Sequence, residues 1–94
     1  MKPLLDVLII LDALEKEGSF AAASAKLYKT PSALSYTVQK LESDLNIQIL
    51  DRSGHRARFT RTGQMLLEKG REVLHTVREL EKQAVKLHQG WENE

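Results

Sequence analysis

Three histidines, thirteen carboxylates and a scatter of hydroxyls are the residues of this 94-residue chain that could do covalent or acid–base chemistry. Their spacing argues against it. His55 stands in a basic, glycine-containing stretch, while His75 and His88 lie thirteen residues apart in a proline-free run. Thirteen helical residues rise about 20 Å, so the two imidazoles share no metal site. Ser24 and Ser32 have no base at a recognisable spacing, and most carboxylates stand where they read as surface partners of lysines. There is no cysteine, hence no thiol nucleophile, no thiolate metal site and no disulfide. These features exclude an enzyme and call for no cofactor or metal.

What remains is the chemistry of binding. The stretch KTPSALSYTVQKLE, residues 29–42, has a small, hydroxyl-rich first turn where a helix would otherwise begin burying leucines. Thr30 and Pro31 are a start signal: the threonine hydroxyl takes an orphan amide, and proline at the first helical position loses no hydrogen bond. Leu34, Val38, Leu41 and Leu45 then recur at helical intervals and read as one buried stripe. The opposite face carries Ser32, Ser35, Tyr36, Gln39 and Lys40. Small hydroxyls there bond to phosphates or base edges without holding the helix off a duplex. Tyr36 offers a ring for a thymine methyl and a hydroxyl for phosphate, Gln39 reaches an edge or the backbone, and Lys40 suits a phosphate. Such a pattern also fits ordinary capping and packing if each residue is taken singly.

Charge supports the binding reading. The net charge is only +1, but residues 26–61 hold seven Lys or Arg against three acids, while both flanks are slightly acidic. A positive middle third in a near-neutral chain marks a surface for a polyanion. Within it, DRSGHRARFTR places Arg52, His55, Arg56 and Arg58 around a turn. His55 or Arg56 at the tip suits the narrow minor groove, and strand alternation would put Arg56 and Arg58 on one face. The same arginines also fit a solvated edge that discourages sheet pairing. Arg52 equally fits a structural pair with a carboxylate such as Glu42.

The elements that must hold these residues follow from periodicity. LLDVLIILDALEKE, residues 4–17, is a helix with a wide apolar face, ended by Gly18. Its apolar run is too short and too charged for a membrane span, and it lacks a signal peptide's small-residue cleavage site. Ser19 caps a short alanine-rich helix, whose small side chains allow close approach while Phe20 and Leu27 anchor its ends. After the third helix, closed near Asn46, IQIL and ARFT read as short strands around the basic turn, a small wing. Thr60 caps a helix over residues 61–89. There Leu66, Gly70, Val73, Val77, Leu80, Ala84 and Leu87 form a heptad seam. Its distal half needs another long helix, most simply from a second copy, unless it folds back on its own domain. Gly70 would permit close approach, and Trp91 could dock elsewhere. The fold is mainly α: a winged helix-turn-helix of three helices and two strands over residues 1–60, then the dimerisation helix, with residues 90–94 starting a hinge.

GSFAAASAKL, then TPSALSYTVQKLESDLNIQILDR, then RFTRTG resemble the N-terminal winged helix-turn-helix domain of LysR-type transcriptional regulators. The similarity runs from about Leu4 to about Leu87. It implies sequence-specific binding of double-stranded DNA at a pseudo-palindromic promoter site, by a homodimer whose linker helices pair antiparallel. It further implies a cytoplasmic bacterial regulator, tetrameric at full length, with a small-molecule effector on a following domain. By position the family's groove contacts fall on Pro31, Ser32, Ser35 and Tyr36, with the wing contribution on His55 and Arg56. The family commonly has glutamine at the Pro31 position and arginine at the Tyr36 position. Losing both long donors shifts specificity toward Gln39, the wing or DNA shape. Leu50 replaces a commoner phenylalanine. The rival function is a coiled-coil interaction module without DNA binding.

Overall fold

A computed structural model describes residues 3–92. Four helices and one two-stranded ribbon follow the chain in the order α1 (Leu4–Glu17), α2 (Phe20–Leu27), α3 (Pro31–Leu45), β1 (Leu50–Asp51), β2 (Arg58–Phe59) and α4 (Arg61–Glu92). Helices α1, α2 and α3 wrap one core. Val7, Leu11, Leu34, Val38, Leu41, Ile49 and Leu50 are its fully buried large side chains. The molecule is elongated, 59 × 26 × 21 Å, because α4 runs on past the core.

Local chemistry sets the boundaries. Gly18 closes α1 in the left-handed region, φ 89°, where its amide donates to the Leu14 carbonyl. The Ser19 hydroxyl caps α2 by accepting from the Ala22 amide at 3.1 Å, and Thr30 caps α3 through the Ala33 amide at 3.1 Å. Asn46 ends α3 at φ 53°, a conformation its short polar side chain tolerates. Tyr28 ends α2 at φ 57° with its ring almost wholly in solvent, a backbone region costly for an aromatic residue. The ring gains no packing in return.

Three expectations need correction. Leu45 is 39% exposed, so the buried stripe of α3 stops at Leu41; the helix turns its last residue away as Asn46 reverses the chain. The first strand is shorter than IQIL because the backbone of residues 47–49 is engaged elsewhere. Ile47 donates to the Glu42 carbonyl, Ile49 to the Glu42 carboxylate, and the Gln48 carbonyl accepts from the Thr60 hydroxyl. The second strand begins at Arg58, so strand alternation does not reach Arg56, which lies in the connecting turn. Pairing is antiparallel, Leu50 opposite Phe59 and Asp51 opposite Arg58.

Helix α4 belongs to the core only in its first half. Gly63, Leu67, Gly70 and Leu74 are buried at intervals of four, three and four, one helical stripe. A Cβ on Gly70 would lie 2.6 Å from Leu8 Cδ2. The close approach that glycine permits is therefore used by α1 of the same chain. Residues 80–90 are exposed and the helix does not fold back. It continues through residues 90–92, where a hinge was expected to begin. Residues 93 and 94 of that hinge, and the side chain of Trp91, lie outside the described residues.

One ion cluster locks α1 to α4. The Arg71 Nε donates to Asp12 Oδ1 at 2.9 Å, and Lys16 approaches Oδ2 at 3.1 Å. Desolvation pushes the Asp12 carboxyl up, but the hydrogen bonds from Arg71 and Lys16, with their charges, hold it below its ordinary 3.8. A carboxyl depressed by folding stabilises the fold above its unfolded value, and the benefit is lost as pH falls through the folded value. Asp12→Asn is therefore expected to cost about 1 kcal/mol at pH 7. It should also flatten the loss of stability below pH about 4, read as urea midpoints across pH.

Candidate nucleic-acid interface

The N-terminal half of α3 presents its polar side as a ridge. Thr30, Pro31, Ser32, Tyr36, Gln39 and Lys40 are exposed, with Tyr36 at 65%, and Ser35 is half-buried beside them. Thr30 Oγ1 and Ser32 Oγ lie 3.4 Å apart, so the hydroxyls at the helix start form one small polar platform. Lys40 pairs only loosely with Asp44, 3.8 Å away in an exposed setting. Such pairs hold little energy and yield readily to a phosphate.

The wing adjoins this ridge. Glu42 sets its base: one carboxylate oxygen accepts from the Ile49 amide at 2.7 Å and the Leu50 amide at 3.2 Å. This answers the alternative of an Arg52–Glu42 pair, since Glu42 holds backbone instead. Asp51 then organises the turn, its Oδ1 accepting from the Ser53 hydroxyl at 2.7 Å and the Ser53 amide at 2.9 Å. Those two bonds, with a smaller pull from Arg58, keep its carboxyl below the usual range. Arg52 crosses to α3. Its Nη1 donates to Ser35 Oγ at 2.5 Å, and its guanidinium lies 5.1 Å from the centre of the Phe20 ring.

Beyond this base, His55, Arg56 and Arg58 are exposed. His55 and Arg56 border a small cavity of about 200 Å³ against Leu14, Gly18 and Phe20. The turn thus leans toward the junction of α1 and α2. The wing returns through Thr60, whose hydroxyl donates to the Gln48 and Ile49 carbonyls and accepts from the Gly63 amide at 3.0 Å. Of the named candidates, the structure brings together the α3 ridge and Arg52. It places His55 and Arg56 on the adjoining turn and Arg58 at the start of β2.

Two residues of the site were missed in the sequence. The sequence pattern makes Phe20 a core anchor, yet it also carries the Arg52 guanidinium. From spacing alone Glu42 is a candidate partner of Arg52 and nothing more. Nothing local distinguishes it from other helix glutamates; only its closeness to the returning chain does.

The remaining chemistry is sparse. Among the described residues, no group of three histidine or acidic side chains falls together to hold a metal ion, and no helix is long and apolar enough to cross a membrane. The seam residues divide. Leu66 packs on the core and Gly70 on Leu8, Val77 is half-buried, and Val73, Leu80, Ala84 and Leu87 are exposed.

A mainly α domain with a capped second helix, an arginine-bearing ribbon and a long trailing helix is a winged helix-turn-helix protein of the DNA-binding class. Residues 5–64 match the model of the bacterial regulatory helix-turn-helix proteins of the lysR family, and the chain belongs to that family. It is 93% identical over 94 residues to the "uncharacterized HTH-type transcriptional regulator YeeY" of Escherichia coli K12, matching all of this chain and 30% of that protein. It is 51% identical over 88 residues to the "probable HTH-type transcriptional regulator YhaJ" of the same strain, covering 94% of this chain and 30% of the other. The chain thus spans about 30% of the length of these relatives. Among solved structures, it superposes on the BenM DNA-binding domain in complex with catB site 1 DNA with a TM-score of 0.84. There the identity is 28%, and 92% of each chain is covered. This chain is the DNA-binding helix-turn-helix domain of a LysR-type regulator.

Proposed function

We propose that two copies of this chain, joined along the exposed half of α4, bind duplex DNA with the first turns of α3 in the major groove and the turn after β1 in the minor groove. One observation carries the reading. Arg52 of the wing reaches Ser35 of α3, so ridge and cationic turn form one continuous surface. BenM, similar in fold, is a DNA complex in its crystal structure, which supports the assignment.

Residues 1–60 form the DNA-binding unit in this reading and residues 61–89 the dimerisation helix. Ser32, Ser35, Tyr36 and Gln39 meet base edges or phosphates, Thr30, Pro31 and Lys40 the backbone, and His55, Arg56 and Arg58 the minor groove and its phosphates. The relatives are longer, and a following domain would bind a small-molecule effector and join dimers into tetramers in the cytoplasm.

Selection of duplexes from a randomised pool tests this directly. The chain should enrich two half-sites related by a dyad. Affinity should fall steeply between 50 and 200 mM salt, the range over which multi-phosphate contacts cost about 10³-fold or more. Arg56→Ala should weaken binding about tenfold and lower the log–log salt slope by about one. Enrichment of no sequence, with no salt dependence, would leave the coiled-coil interaction module as the function.

A further inference from the structure

The contact between Ser35 and Arg52 decides what the serine can offer to DNA. A guanidinium has five N–H donors and no acceptor, so Arg52 donates and Ser35 Oγ accepts. The serine's own O–H is left as a donor. Three other helix hydroxyls spend that proton on their own backbone. Thr37 donates to the Ala33 carbonyl at 3.0 Å, Thr76 to the Glu72 carbonyl at 3.1 Å and Ser24 to the Ala21 carbonyl at 2.7 Å. Ser35 makes no such bond among the described residues, and its partner is Arg52.

Arg52 is held from three sides. Its backbone follows β1, whose entry is fixed by Glu42 on the Ile49 and Leu50 amides. The Asp51–Ser53 turn sets the chain direction just after it. The guanidinium lies over the Phe20 ring, a cation–π arrangement that favours a planar group. One of its five donors is used on Ser35, and the residue is exposed, so others stay open to solvent. A free hydroxyl proton beside a fixed cation with spare N–H groups favours an anionic acceptor over a neutral base edge, because the cation adds its charge to the second hydrogen bond.

We infer that Ser35 and Arg52 act as one unit that grips a single backbone phosphate. Arg52 leaves the serine its O–H as a donor and supplies an N–H as the second. This deepens the proposed DNA-binding function and rests on it. Because the pair ties the wing to α3, the same phosphate registers both elements on the duplex at once. Ser35 then contributes register and affinity, and base preference comes from its neighbours.

The test uses the duplex that the unmodified chain selects from a randomised pool, and four variants: Ser35→Ala, Arg52→Lys, Arg52→Gln and Ser35→Ala with Arg52→Lys. Each single change should lower affinity about tenfold, and the double variant should fall within about twofold of the weaker single one, the signature of coupled residues. Arg52→Gln should reduce the salt slope by about one while Arg52→Lys keeps it. Moving a single neutral methylphosphonate along the duplex should find one position at which the chain and Ser35→Ala bind alike. The inference is overturned if the two single losses multiply, or if reselection with Ser35→Ala changes the preferred base at one position, as a base-edge contact would. It is also overturned if Arg52→Gln loses thermal stability and affinity together with an unchanged salt slope. If the unmodified chain selects no duplex, the DNA-binding reading falls first and takes this one with it.

Discussion

Gly63→Ala is expected to destabilise the domain by about 3 kcal/mol, because the added methyl has nowhere to go. An ideal Cβ at this position would stand 2.0 Å from the Ile49 carbonyl oxygen and 3.0 Å from its carbon. That carbonyl is itself fixed, accepting from the Thr60 amide at 3.0 Å and the Thr60 hydroxyl at 3.1 Å. The Ile49 amide is held from the other side by Glu42 at 2.7 Å. Relief requires breaking two or three of these bonds, at about 1 kcal/mol each, with overpacking strain of about 1–3 kcal/mol added. Alanine's better helix propensity returns only about 1 kcal/mol. For a domain of about 100 residues that is a fall in melting temperature of about 12 °C or more.

Gly70→Ala provides the contrast. There the added Cβ meets Leu8 Cδ2 at 2.6 Å, the far end of a flexible side chain that can change rotamer. The propensity gain offsets most of that cost, and a change under about 1 kcal/mol is expected. The measurement is thermal unfolding of both variants by circular dichroism. Equal melting temperatures would show that the junction of wing and α4 is not the rigid clamp its hydrogen bonds describe.

These two glycines show where the sequence stops being readable. The caps at Ser19 and Thr30, the stop at Gly18 and the stripe of Leu34, Val38 and Leu41 are local signals, so helix order and the exposed ridge of α3 could be read from spacing alone. Gly63 was read only as part of a family motif, because its neighbour Ile49 lies across the wing. Gly70 was given to the seam, because a glycine that receives Leu8 of the same chain and one that receives a second helix look identical in sequence. Arg71 and Asp12 are fifty-nine residues apart, and their bond has no periodicity to betray it. Arg52 had several partners open to it. The choice of Ser35 and Phe20 depended on Glu42 being occupied by backbone amides. Contacts set by chain return, rather than by the repeat of a helix or strand, are what the structure adds.

The same distinction sharpens the dimer hypothesis, for which Leu80→Asp is the decisive substitution. On α4 the line through Gly63, Leu67, Gly70 and Leu74 is taken by the chain's own core. The line through Val73, Leu80 and Leu87 is 44%, 60% and 76% exposed. Apolar residues repeated every seven positions on an unpartnered helix bury themselves against a second such helix. Leu80 lies outside the chain's own core, so a charge there should move thermal stability at high dilution by under about 0.5 kcal/mol. In a paired seam it leaves a buried carboxylate without a partner, and sedimentation at micromolar protein should show monomers. DNA affinity should fall about 10²-fold or more, since a monomer engages one half-site and loses the gain from tethering two. Dimers that persist with Asp at position 80 would move the interface off this helix. Monomers that still bind the full site as tightly as before would show that pairing and recognition are independent.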